Sequence, residues 1–349
     1  MKDDILDFLK KFIILVFMGT LFIIVLSLFM VGMGNQKYDN LPQFLIKSKN
    51  IILKKRDTNS EKIKVYITKE NRIKEIDLEQ YVIGVVAAEM PAEFSEEALK
   101  AQAVASRTFA AAHMEVYGGK KYKSSTGADV CDTVKCQVFV DKEDRMKNWP
   151  EKDRDKYWSK IVNAVQATSG QVLAYKNKLV MEPYYFAVSA GKTENSEDVF
   201  GEGEGYLKSV ESPGEESARK YKTSVKMSYV DFINKVKSSY PNSGLSPESL
   251  SNQVVIKSKN EGGSVKEIKL GAVTISGTKF RTIMGLNSAN FSIDFKYGVH
   301  IQCIGYGHGV GMSQWGANYM AKDGKNYKNI LSHYYKGTSL ENVNSFKKQ

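Results

Sequence analysis

With 349 residues and 50 Lys/Arg against 39 Asp/Glu, the chain carries a net charge of +11, which favours an anionic partner such as nucleic acid, lipid headgroups or a cell-wall polymer. No basic helix, zinc-finger spacing or RNP-like motif accompanies that charge, which argues against a nucleic-acid binder, and three Cys are too few for a disulfide-stapled scaffold. A hydrophobic content of 42% with only 7 Pro predicts a folded core of one large domain or two closely joined ones.

Phe12 to Met33 is an uncharged apolar run. At about 1.5 Å of rise per residue, these 22 residues span a hydrocarbon core of about 30 Å, so a transmembrane anchor is expected. A cleaved signal peptide is the competing reading. Its apolar region would be shorter, about 7 to 15 residues, and would end at an Ala-x-Ala-like site, which Val31 to Gly34 matches weakly. Lys2, Lys10 and Lys11 precede the run and Lys37, Lys47 and Lys49 come after it, so charge bias does not orient it. Residues 1–11 read as a cytoplasmic tail and 34–61 as a juxtamembrane linker suited to anionic headgroups, with six Lys/Arg against Asp39 and Asp57 over 34–57.

Next, Ile63, Val65 and Ile67 alternate with polar neighbours, the pattern breaks at Asn71 and resumes at Ile73 and Ile76, which predicts a β-hairpin. The stretch LEQYVIGVVAAEMP reads as helix until Pro91. Ser95 ahead of Glu96 and Glu97 has the pattern of an N-cap, opening a helix that runs to about Tyr117 and stops at Gly118 and Gly119. Seven alanines between Ala98 and Ala112 make that helix narrow on almost every side, so a central, closely packed helix is expected. Residues 141–160 mix both charge signs densely and read as a solvated excursion, followed by a short helix to about Thr168. Strands are expected at 171–175, 178–181 and 184–188, a helix at 225–239, and two or three strands within 253–275 divided at Gly262-Gly263. Further strands fall near 291–304, and two helices, about 312–322 and 326–336, close the chain. Helices and strands intermix without strict βαβ alternation, so the class is α+β.

Several residues carry chemistry. Glu89 ends an apolar helical stretch, where partial desolvation would raise its pKa toward general-acid use; an ordinary helix-end Glu paired with a Lys is the alternative. Glu93 is the next carboxyl along. Arg107, in so alanine-rich a helix, must find either a carboxylate or a polar cleft: orienting Glu89 or a sugar and making a structural salt bridge both fit. Beside the Tyr184, Tyr185, Phe186 cluster, Ser189, Lys192 and Thr193 are polar groups next to aromatic faces, an arrangement suited to sugar rings, although aromatic residues at a strand are more often core. Gly305, Gly307, Gly309 and Gly311 alternate ahead of a helix in a pattern that is neither a dinucleotide fingerprint nor a P-loop; their backbone N–H groups suit an anion. His308, within that loop, is either a titrating group of the site or a hydrogen-bonded loop histidine. Cys131 and Cys136, spaced C-x4-C, allow zinc, a local disulfide or free thiols, and Cys303 reads as core.

Three segments, VVAAEMPAEFSEEALKAQAVASRTFA, YFAVSAGKTENSEDVFGEGEGYLKSVESP and GYGHGVGMSQWGANYMAKDGKNYKNILSHYYKGT, together resemble the stage II sporulation protein D family, which shares a domain with amidase-enhancer proteins of the bacterial wall. The resemblance covers roughly 62–340, leaving 341–349 as a tail. It implies a lytic transglycosylase that cleaves the β-1,4 bond between N-acetylmuramic acid and N-acetylglucosamine, with the acid/base at Glu89 in AAEMP and no cofactor needed for catalysis. It also implies a substrate role for Arg107, with Lys208 in YLKSV meeting the muramic carboxylate, while Tyr185, Ser189, Lys192, Thr193 and His308 are substrate contacts expected from their own chemistry. The setting implied is engulfment during sporulation. The chain would sit in the mother-cell membrane with its large domain facing the forespore, and would act on strands stripped of stem peptides by a partner amidase, alongside other engulfment membrane proteins. A non-enzymatic wall-binding module that activates an amidase is the rival function. Some relatives hold zinc through a segment like VCDTVKCQVF, but with a histidine where this chain has Lys135.

Overall fold

The computed structural model describes residues 61–122 and 126–348, and the expected anchor, cytoplasmic tail and nearly all of the linker lie outside them. Among the described residues no helix is long and apolar enough to cross a membrane. Helices and strands are mixed through the described residues as an α+β arrangement of five small sheets.

Strands β1 (Lys62–Ile67) and β2 (Arg72–Asp77) form the expected antiparallel hairpin, with Ile67 opposite Arg72. Ile63, Val65 and Ile67 are buried, and Asn71 takes the positive φ of the turn. Asp77 accepts from the backbone N–H of Glu79 at 2.9 Å and of Gln80 at 3.2 Å, so it caps α1 (Leu78–Glu89). Helix α2 (Glu96–His113) buries nearly every residue from Ala98 to Ala112. Its alanines let α1, α4 (Arg154–Ala167), β4 (Gln171–Tyr175), α9 (Gln314–Lys322) and α10 (Tyr327–Tyr334) pack around it. It stops at His113, four residues short of the expected end, because Met114 turns extended; a separate 3-10 turn over Glu115–Tyr117 closes at Gly118 with φ 82°. Ser95 occupies the N-cap position, but its side chain makes no capping bond; Lys100 pairs instead with Glu96 and Glu97 in the first turn.

Strand β3 (Val130–Cys131) pairs in parallel with β1. The charged stretch 141–160 is exposed as expected but not irregular: it holds α3 (Lys142–Lys147) and the opening turns of α4, whose Ile161, Ala164 and Val165 are buried. Strand β4 pairs with β5 (Lys178–Leu179) and also with β14 (Thr338–Asn342), a strand the sequence pattern does not announce. Strand β6 (Tyr185–Phe186) lies parallel to β13 (Met312–Ser313). A short α5 (Ser196–Phe200) comes after β6 in the chain.

Residues 222–304 form a lobe with its own core. Strands β8 (Val254–Lys259), β9 (Val265–Leu270) and β10 (Val273–Ser276) make one sheet, entered through α7 (Leu250–Gln253), while β7 (Lys222–Met227), β12 (Val299–Ile304) and β11 (Phe291–Asp294) make another. Helices α6 (Tyr229–Ser239) and α8 (Gly277–Met284) contribute Phe232 and Phe280, and the Phe280 ring stacks on Phe291 at 4.9 Å. The helix expected at 225–239 begins only after Ser228, whose hydroxyl accepts from the N–H of Asp231; the preceding residues extend as β7 because they pair with β12.

Candidate active site around Glu89

Glu89 is the last helical residue of α1, since Met90, before Pro91, is extended at φ −118° and ψ 143°. Its carboxyl is half-buried at the negative end of the helix dipole. One oxygen accepts from the N–H of Val138 at 2.9 Å, and Gln314 adds a side-chain hydrogen bond. Burial raises its pKa, and these two hydrogen bonds only partly offset that; no cation is among the groups that act on it. The shift is in the direction that favours proton donation.

Buried polar side chains connect around it. Gln314 donates to Gln102 at 3.4 Å and Gln102 to Ser106 at 3.0 Å, while Gln137 donates to the Tyr185 hydroxyl at 3.0 Å and accepts from Tyr81 at 3.3 Å. Burial and the nearby Glu89 carboxyl both raise the Tyr185 phenol well above its usual value, so it remains a neutral donor. Gln102, Ser106, Gln137 and Gln314 belong to the site; all four lie inside the segments quoted from the sequence, yet none of them stands out there as a candidate. Their one sequence signal is a set of amides and a hydroxyl among alanines and apolar residues, with Gln102 and Ser106 at i,i+4 on one helix face.

The parallel β6–β13 ladder sets Tyr185 and Gln314 in place. Glu215 locks the surrounding turns: it accepts from Ser212 Oγ at 2.6 Å, Ser313 Oγ at 2.6 Å and the Ser189 N–H at 2.7 Å. Burial pushes this carboxyl up to about 7. Gly311, at φ 77°, lets the glycine loop press onto β6; a Cβ there would stand 2.0 Å from the Tyr184 carbonyl. The loop's glycines thus serve close approach of two chain segments. His308 Nδ1 accepts from the Val310 N–H at 3.1 Å, so Nε2 carries the hydrogen that reaches the Tyr185 carbonyl at 3.1 Å. Burial and the Arg281 guanidinium lower its pKa to about 4, and the ring is a neutral brace packed by Tyr184, Phe186 and Phe200.

Of the other candidates, only Tyr185 joins Glu89. Arg107 is fully buried and makes a two-pronged pair with Glu79, Nε to Oε1 at 2.8 Å and Nη2 to Oε2 at 2.7 Å, with further bonds to the Gln171 and Val165 carbonyls. Glu79 lies in the first turn of α1 and Glu89 in its last, roughly 15 Å apart along the axis, so Arg107 does not orient Glu89. Thr193 is buried and accepts from the Val210 N–H at 2.9 Å, Ser189 is buried as well, and Lys192 pairs with Glu261 of the lobe at 2.6 Å. Burial and pairing therefore occupy these three. Lys208 is exposed. A 570 Å³ hollow lined by Gln171, Lys328 and Glu341 among others does not include Glu89.

The cysteine segment adjoins the site, and its fit to zinc can be judged from the sulfurs. Cys131 and Cys136 Sγ stand 3.1 Å apart, whereas two thiolates on a tetrahedral zinc at about 2.3 Å stand about 3.8 Å apart. Among the described residues no third His, Cys, Asp or Glu completes a cluster. The residues present do not fit zinc.

The family model described as Stage II sporulation protein matches residues 66–175, a span that takes in Glu89, Gln102, Ser106 and Val138. The protein named Stage II sporulation protein D of Bacillus subtilis (strain 168) is 38% identical over 287 residues, covering 81% of this chain and 80% of the relative. Its namesake from Bacillus amyloliquefaciens is 38% identical over 285 residues with the same coverage. A B. subtilis protein named Amidase enhancer is 28% identical over 314 residues, covering 74% of this chain and 40% of its own length. With α1 and α2 inside the family span and that identity sustained over four-fifths of the sequence, the chain belongs to the stage II sporulation protein D family.

Proposed function

We propose that the protein is a membrane-anchored lytic transglycosylase that cleaves the bond between N-acetylmuramic acid and N-acetylglucosamine in peptide-stripped glycan strands during engulfment. The observation that carries this reading is the half-buried Glu89 carboxyl, held by Val138 and Gln314 with no cation to neutralise it. A protonated Glu89 donates to the glycosidic oxygen as the C1–O bond breaks. The resulting carboxylate then takes the proton of the muramic C6 hydroxyl as that oxygen closes on C1, giving a 1,6-anhydro end and restoring the acid. One carboxyl suffices, and neither step calls on a cofactor. The large domain would lie outside the cell, anchored in the mother-cell membrane by residues 12–33 beside a partner amidase and other engulfment proteins. The +11 charge suits strands whose lactyl groups become carboxylates once the peptides are gone.

Mass spectrometry of denuded glycan digested by the full chain in detergent tests this. Anhydro-muramic ends are expected; reducing ends alone would make the enzyme a hydrolase. Glu89→Gln should cut turnover by about a hundredfold or more while strand binding persists. No products from any strand preparation would favour activation of an amidase, the reading suggested by the relative named Amidase enhancer.

A further inference from the structure

We propose that Cys131 and Cys136 form a dithiol–disulfide pair whose closure fixes the segment that holds Glu89. The sulfurs are already 3.1 Å apart, and the Cys131 N–H points at Cys136 Sγ at 3.2 Å. The turn between them is closed by Cys136 N–H to Thr133 O at 2.9 Å and Phe139 N–H to Asp132 O at 3.3 Å. A disulfide at about 2.05 Å needs an approach of about 1 Å along the existing contact. Zinc would need a spread of only about 0.7 Å but also two further ligands, which the described residues do not offer, and Lys135 cannot serve as the imidazole. In this chain a redox pair takes the place of a metal clip.

The residues directly after Cys136 connect the pair to the site. Gln137 holds the Tyr81 and Tyr185 hydroxyls, and the Val138 N–H holds Glu89 Oε1. With the thiols free, Cys136 leads into these residues through a short exposed turn in which Val134 is 87% exposed; with the bond made, the turn is tied to β3 and hence to β1.

The oxidant is a disulfide, small or protein-borne, as oxidising compartments supply. One thiolate of the pair attacks it, forming a mixed disulfide and releasing one thiolate of the oxidant. The other Cys then attacks the protein sulfur of that mixed disulfide and releases the second. Two electrons and the two thiol protons pass to the oxidant, which leaves as two thiols.

The test uses the full chain in detergent, equilibrated with oxidised glutathione or with dithiothreitol, then denatured and alkylated. After oxidation one alkylated thiol, Cys303, and a Cys131–Cys136 peptide link are expected; after reduction, three thiols. Three thiols in both states, or an equivalent of zinc that blocks alkylation until chelated, would overturn the proposal. Oxidation should raise the unfolding midpoint by a few degrees and slow exchange of the Val138 amide several-fold. A Cys131→Ser, Cys136→Ser double variant should show neither response. Equal Val138 exchange in both states would sink the coupling to Glu89. Glycan cleavage, which alone among these readouts rests on the transglycosylase reading, should fall several-fold on reduction. The thiol count and amide exchange decide the pair even if no glycan is cleaved.

Discussion

The main body and the 222–304 lobe bury different chemistry. The body's interior holds Gln102, Ser106, Arg107, Thr108, Gln137, Glu194, Glu215 and Gln314, whereas the only buried polar residues of the lobe are Ser243, Ser264 and Ser288. The lobe instead carries charge outside, eleven Lys/Arg against five Asp/Glu. Buried polar groups cost stability unless each is satisfied, so they persist where geometry must be held to a fraction of an ångström. The body has the composition of a site, and the lobe that of an ordinary core with a basic surface.

The sharpest way to break this division is a pair of truncations. Arg107→Ala removes the fully buried guanidinium, strands the partly buried Glu79 carboxylate and should cost about 3–5 kcal/mol. Phe280→Ala should cost a similar amount, about 3–5 kcal/mol, through the cavity it leaves. The costs match but the locations differ: amide exchange should rise in α1, α2 and α4 for the first and within 222–304 for the second. Loosening around Glu89 in the Phe280 variant would show that the lobe helps hold the site.

Acid response sharpens the contrast further, because Glu215 and His308 both belong to the body. Glu215 keeps its proton in the folded chain up to about 7, above its unfolded value of 4.5, so its contribution is full below 4.5 and fades as pH rises to 7. His308 stays neutral down to about 4 against 6.5 unfolded, so its contribution is full above 6.5 and fades as pH falls toward 4. Each spans roughly 3 kcal/mol with opposite slopes over nearly the same window. Relative to wild type, Glu215→Gln should make stability rise more steeply with pH across that window, and His308→Gln should make it fall. Chemical denaturation at pH 4.5, 5.5 and 6.5 reads both slopes; parallel curves for both variants would discard the assignment.

Smaller effects belong to the surface. Lys208→Ala should lower glycan turnover several-fold without changing the unfolding midpoint, and added salt should shrink the difference. Lys192→Ala removes an exposed pair across the body–lobe contact and should shift denaturant unfolding only slightly. A loss of several kcal/mol would mean that this contact holds the lobe in place.

Where patterning is local, the sequence is informative. Alternation over Ile63, Val65 and Ile67 marks the hairpin, and the alanines of α2 mark a helix packed on all sides. Strand β14 escapes notice because TSLEN offers a single apolar residue and is a strand only by virtue of pairing with β4. The end of strand β7, Val225 to Met227, reads as helix for a related reason: six residues opposite a partner over seventy positions away leave little periodicity of their own. At the site, Glu89 can be picked out from its apolar neighbours. Its companions cannot, because Val138 and Gln314 reach it through tertiary contacts that no spacing encodes. Arg107 is half legible: an alanine-rich helix requires a carboxylate for a guanidinium, but nothing local names Glu79.

The contact between Gln314 and Gln102 joins residues 212 positions apart. On a ribosome adding about 5–20 residues per second, the α2 end of that contact waits about 10–40 s for the other, with Glu89 already made. Until then the carboxyl at the end of α1 lacks its Gln314 partner and the cover of β13. On the proposed function, the acid is complete only when synthesis is nearly finished, and a chain truncated before residue 312 should cleave no glycan.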